Sequence, residues 1–148
     1  MSSFLVLTDA IEALLPHDQV NVYRDEVEPT HRNGAAGLGY IEDDLPWVVL
    51  DIRFPRVLGR SPAATAQGGR VVITTTLAGL TKESVQALYD LVHPHLEGAR
   101  PEAEGWNTSP ITEFNARDIA TDHDMTFIDS NRKARFAVVE WEMTVSRK

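Results

Sequence analysis

The stretch Val71–Pro101, VVITTTLAGLTKESVQALYDLVHPHLEGARP, decides the fold. Its opening, with Arg70 ahead of it, is dense in Val, Ile and Thr, whose branched side chains favour a pleated strand. The apolar period then changes. Val85, Leu88, Tyr89, Val92 and Leu96 recur at three- and four-residue steps, the stripe of a helix that buries one side. Thr81 is a good N-cap, and Glu83 lies in the first turn, where the helix dipole favours a carboxylate. Gly98 is a helix stop, with Pro101 just beyond it. A strand that hands over directly to an amphipathic helix calls for a sheet with a helix laid on it.

The same stretch holds His93-Pro94-His95. On a strand, residues i and i+2 share a face and could grip one metal ion; on a helix they diverge. The surrounding period is helical, so the two rings should point apart. Proline is costly inside a helix, so the last turn is expected to loosen at Pro94. Histidines near a helix C-terminus suit the exposed carbonyls there, whereas a metal site needs further ligands at workable geometry.

Outward from this stretch, Phe4, Leu7, Ile11, Leu14 and Leu15 predict a first helix that ends at Pro16. Strands are expected over 19–24, 47–54 and 111–117. The last strand is long, with Val139, Trp141, Met143 and Val145 alternating with Glu140, Glu142 and Thr144. Three segments lack a period. Residues 25–45 are rich in glycine and acidic residues and too long for an ordinary connection, so they are expected to form a projecting arm. Residues 59–69 are expected to be the long tip of an antiparallel hairpin. Residues 118–132 read as irregular. The predicted class is α+β: one small domain with an antiparallel or mixed sheet, two helices packed on one face and two long loops.

A chain of 148 residues suits one domain with one core, and 43 % apolar content is ordinary for a globular protein. The absence of cysteine excludes disulfides, thiolate zinc sites and thiol nucleophiles and fits a reducing cytoplasm. The N-terminal MSSFLVLTDAIEALL lacks a basic start, which reads against a secretory leader, and no apolar run is long enough to span a bilayer. A net charge of −8, with the basic residues scattered, disfavours specific nucleic-acid binding; an acidic surface past which nucleic acid slides fits it.

No catalytic signature is present: no G-x-S-x-G, P-loop, H-E-x-x-H or G-x-G-x-x-G. Asp122-His123-Asp124 offers oxygen ligands but no glycine-bearing calcium loop, and reads as a solvated acidic turn. No catalytic residue, cofactor site or metal site is therefore expected. Trp47 opens an apolar strand and reads as core. Trp106, after Gly105, either packs under the helix end or anchors a subunit contact, where Trp is enriched.

The wording TTTLAGLTKESVQALYDLVHPHLEGARPEAEGWNTSPI, Thr74–Ile111, resembles the central segment of tail terminator proteins of long-tailed phages that infect actinobacteria. The words that carry the likeness are the strand, the AG with a polar helix start, the helix closing in LEGARP, and then GW and a proline. The flanking layout is similar: a short N-terminal helix, a V-x-V-Y strand, a P-W-V-V-L strand and a final strand with aromatic alternation. His93-Pro94 departs from the ordinary helix formers expected at that helix end.

The resemblance implies a virion structural protein, not an enzyme. Such subunits form a hexameric ring that caps the head-proximal end of the tail tube, stops its polymerisation and docks to the head connector. It implies no cofactor. The implied partners are further copies of the chain, the tube protein and the connector. Double-stranded DNA passes the lumen without specific binding, and no membrane is involved. The interface candidates are Arg24, Glu26, Glu28, Arg32, Tyr40, Asp43 and Asp44 in and beside the arm, Arg60 and Arg70 at the hairpin tip, and Trp106. Two other readings stand beside this one: another connector or tail-tube subunit, and a metal-dependent hydrolase using His93 and His95 with Asp122 or Asp124.

Overall fold

The structure, a computed structural model, describes residues 4–24, 30–31, 38–39, 45–53, 56–60, 66–127 and 132–148. The chain is an α+β domain. The helices are α1 (Phe4–Glu12) and α2 (Lys82–Leu96). The strands are β1 (Asn21–Arg24), β2 (Thr30–His31), β3 (Leu38–Gly39), β4 (Trp47–Ile52), β5 (Arg56–Arg60), β6 (Ala66–Gly79), β7 (Trp106–Thr108), β8 (Thr112–Ala116), β9 (Ala120–Thr126) and β10 (Lys133–Arg147). All but β2 and β3 belong to one eight-stranded mixed sheet.

Two long strands organise that sheet. β6 and β10 pair antiparallel from Gly69↔Val145 to Gly79↔Arg135. The far side of β6 takes β4 along its second half and β5 along its first. The far side of β10 takes β9, β8 and β7 in turn, one after another along its length. β1 lies outside β4 and is parallel to it.

Alternation along the strands sorts the core. Val71, Ile73, Thr75 and Leu77 of β6, with Val139, Trp141, Met143 and Val145 of β10, are buried with Leu7 and Ile11 of α1 and Val85, Leu88, Val92 and Leu96 of α2. Both helices therefore cover one face. A smaller cluster of Trp47, Ala78, Phe127 and Ala134 closes one end of the reverse face. Thr75 is the one polar side chain in the main core among the described residues. Its hydroxyl donates to the Val139 carbonyl at 3.0 Å and accepts the Trp141 indole N–H at 3.0 Å, so neither group is left unpaired.

The strand-to-helix handover follows its predicted chemistry. Thr81 Oγ1 accepts the Ser84 N–H at 3.1 Å, and Ser84 Oγ accepts the Thr81 N–H at 3.0 Å, a reciprocal cap. Gly79 is needed where β6 meets this cap, because a Cβ there would run into the Ser84 side chain. Gly98 has φ +77°, the left-handed conformation that ends helices.

Three expectations are corrected. The segment 59–69 is not mainly a loop: Gly59 and Arg60 of β5 pair with Gly68 and Ala66 of β6, through two register shifts. Glycines that read as flexible are instead tolerated in the ladder by bulges. Residues 118–132 are not irregular throughout, since β9 occupies Ala120–Thr126; its register shift against Lys133 and Ala134 hides a period-two pattern. α2 does not loosen before Pro94 but runs on to Leu96, with the Glu97 N–H closing on the His93 carbonyl at 2.9 Å. Proline forfeits one N–H there, a small loss so close to the end of the helix. Three predicted strands are also shorter than expected: β1 starts at Asn21, β4 ends at Ile52 and β8 spans Thr112–Ala116. Within the arm, β2 and β3 pair as a two-residue ladder, and the rest of 25–44 lies outside the described residues.

Candidate functional site

The predicted site residues fall in separate places. Arg24, at the end of β1, turns to the helix face. Its guanidinium donates to Asp9 at 2.6 Å and Glu12 at 2.8 Å. The hydrogen bond it donates to Asp9, then that to Glu12, holds its pKa above the ordinary arginine value. Arg24 thus ties β1 to α1. Arg70, near the start of β6, lies on the reverse face and pairs with Glu142 of β10. Trp106 is 7 % exposed within the main core, with the Arg147 guanidinium 4.5 Å from its ring centroid. Of its two readings, packing is the one the structure shows. Glu26, Glu28, Arg32, Tyr40, Asp43 and Asp44 lie outside the described residues, as does the Arg60 side chain.

The histidines part as helical phase requires. His93 is half-buried, its ring 5.3 Å from that of Tyr89 and 5.6 Å from that of Trp141, while His95 is exposed. Asp122 and His123 stand on β9 rather than in a turn, and the Asp124 side chain lies outside the described residues. Among the described residues no group of three His, Asp or Glu side chains could hold a metal ion.

Beside His93, Tyr89 Oη donates to Glu113 Oε1 at 2.6 Å. Burial first, and then this hydrogen bond to a carboxylate, pushes the phenol up to about 12. The Glu113 N–H in turn donates to Glu97 Oε2 at 2.8 Å. Two side chains of α2 and its end therefore clasp β8 at Glu113 and fix the residue that follows it.

That residue, Phe114, is one that sequence reading missed. β8 shifts register against β10 at Glu140/Trp141: Asn115 pairs with Glu140 and Glu113 with Trp141, leaving Phe114 as the bulged residue. Bulges re-aim side chains. Phe114 is 43 % exposed, and the Arg70 guanidinium sits 5.0 Å from its ring centroid. The exposed ring thus lies beside a bulge in its own strand and under a cation from β6. The signal that could have found it is phase: Phe114 shares its expected strand face with Thr112, a polar position, while Ile111 and Glu113 alternate inward.

No family model matches the chain, and no curated protein matches it.

A second surface is apolar. The first turns of α2, the end of β6 and the entry to β4 leave an open groove of about 510 Å³ between Leu45, Pro46, Leu80, Ala87 and Leu91. A groove of about 550 Å³ near the chain's end is instead lined by mixed charges, including Arg100, Glu102, Glu104 and Lys148. Among the described residues no helix is long and apolar enough to cross a membrane.

Proposed function

We propose that the chain is a ring-forming tail terminator of a long-tailed phage, a virion protein at the head–tail junction that is made in the host cytoplasm. It caps the head-proximal end of the tail tube, stops tube polymerisation and docks to the head connector. The observation that carries the reading is the wording of Thr74–Ile111, which resembles that family and maps onto one continuous unit: the end of β6, α2 with its cap, and β7. Two further features support it. A net charge of −8 suits a lumen through which DNA slides without sticking. An ordered, exposed Phe114 and an apolar groove elsewhere on the surface suit a subunit whose different faces meet in a closed ring. The partners in this reading are further copies of the chain, the tube protein and the connector, with no cofactor and no chemical step.

The test is to add the protein to polymerising tail-tube subunits from the same phage and to image the products by negative stain. Tubes of limited length, each bearing a ring at one end, are expected. Tubes whose length and ends are unaffected at any ratio would refute the role, and filaments formed by this chain alone would point to a tube subunit.

A further inference from the structure

We infer that Glu97 guards the outer edge of β8 and keeps it from pairing with a strand of a second copy. Among the described residues β8 pairs with β10 alone, so its other side is an edge of the sheet. An edge strand presents main-chain N–H and C=O groups that template a further strand. Here the exit of α2 occupies those groups one after another. The Gly98 N–H donates to the Ile111 carbonyl at 2.7 Å, and the Ile111 N–H donates to the Ala99 carbonyl at 2.8 Å. Two residues on, at the same phase of the strand, the Glu113 N–H donates to Glu97 Oε2 at 2.8 Å. A side-chain carboxylate thus takes the place that the carbonyl of a neighbouring strand would fill. Tyr89 Oη holds the Glu113 side chain from the same helix, so the guard has two points of attachment.

Glu97 suits this task because it is the C-cap of α2. Its N–H still closes on the His93 carbonyl at 2.9 Å, while φ −63° and ψ 121° already lead the chain out of the helix. The helix end therefore fixes its backbone, and the side chain reaches the strand. Past Glu113 the edge is open: Phe114, Asn115 and Ala116 are all exposed, and no outer main-chain partner lies beside them among the described residues. An exposed phenylalanine next to free main-chain groups is the kind of edge that associates. A strand added there would first have to displace Glu97 from the Glu113 N–H, and hydrogen bonds to charged acceptors are among the stronger ones. The guard lies within one molecule, so it does not rest on the ring reading.

Glu97→Ala and Glu97→Gln test the guard in the purified chain, where a second copy is the only partner. By hydrogen exchange, the Glu113 amide is expected to be protected in the wild type and to lose that protection in dilute Glu97→Ala. Glu97→Gln should keep most of it, because the side-chain amide oxygen still accepts. Protected amides along β6 and β10 in the same spectra show that each variant is folded. In sedimentation, Glu97→Ala is expected to form species larger than those of the wild type, increasingly so with concentration, and Glu97→Gln is not. Adding Ala116→Lys, a charge on the same edge, should return Glu97→Ala to wild-type behaviour. A Glu97→Ala chain that loses the Glu113 protection yet associates no more than the wild type would overturn the inference. So would an amide equally protected in both, or extra association that Ala116→Lys leaves unchanged. The ring reading stands or falls separately, on the wild type mixed with tube subunits.

Discussion

Trp141 and Phe114 lie within one residue of each other across the β8–β10 ladder, yet they meet opposite fates. Trp141 is 1 % exposed, pinned by its indole N–H to Thr75 and covered by His93 of α2. Phe114, one residue past the partner of Trp141, faces outward at a bulge and has the Arg70 guanidinium over its ring. The helix-covered face of the sheet consumes its aromatics as core, whereas the reverse face displays one. Burial area makes the first face the source of stability, and preorganisation makes the second a candidate for recognition.

The contrast breaks first at Trp141. Trp141→Ala should cost about 3–5 kcal/mol, because it opens a cavity under α2. At roughly 2–4 °C per kcal/mol for a chain of this size, calorimetry should record a loss of more than about 6 °C. Thr75→Val keeps the volume but strands the Trp141 N–H in the core, and a loss of about 1–3 kcal/mol by urea titration is expected. Thr81→Ala removes half of the reciprocal cap of α2 and should cost about 1 kcal/mol.

Tyr89→Phe sharpens the comparison by loosening the clasp under Phe114 while sparing the core. The Tyr89 phenol titrates at about 12 in the folded chain, against 10.0 for an unperturbed tyrosine. A raised pKa contributes stability that is full below pH 10 and is lost as pH rises through 12. The stability gap between wild type and Tyr89→Phe should therefore hold steady from pH 7 to 9 and shrink between pH 10 and 12. A gap that widens over that range would show that the phenolate, not the phenol, is the favoured form. The smallest stability effect belongs to Phe114→Ser, within about 0.5 kcal/mol of wild type by urea titration, as for an exposed site.

The fold was largely legible because its signals were redundant. In α2 the apolar stripe, the Thr81 cap and the Gly98 stop all agree, and along β10 strict alternation marks the buried face. What escaped were places where strand pairing overrides local composition. Gly59, Gly68 and Gly69 read as loop but lie in the β5–β6 ladder, and Asp122 reads as turn but lies in β9. Glycines and acidic residues carry no strand signal of their own; a long neighbouring strand supplies the pairing. The bulge at Phe114 escaped for a related reason, since it depends on the register between two strands, whereas the outward phase of Phe114 beside Thr112 is readable in the sequence. Trp106 was ambiguous because both core and interface favour an indole, and only its burial beside Arg147 decides between them.

The central claim is that this chain assembles into a closed ring. The most direct measurement is its native mass by sedimentation equilibrium at micromolar concentration, alone and mixed with tail-tube subunits. A discrete, closed oligomer of several copies, six if the family likeness carries over, is the predicted result. A strict monomer under both conditions would contradict it.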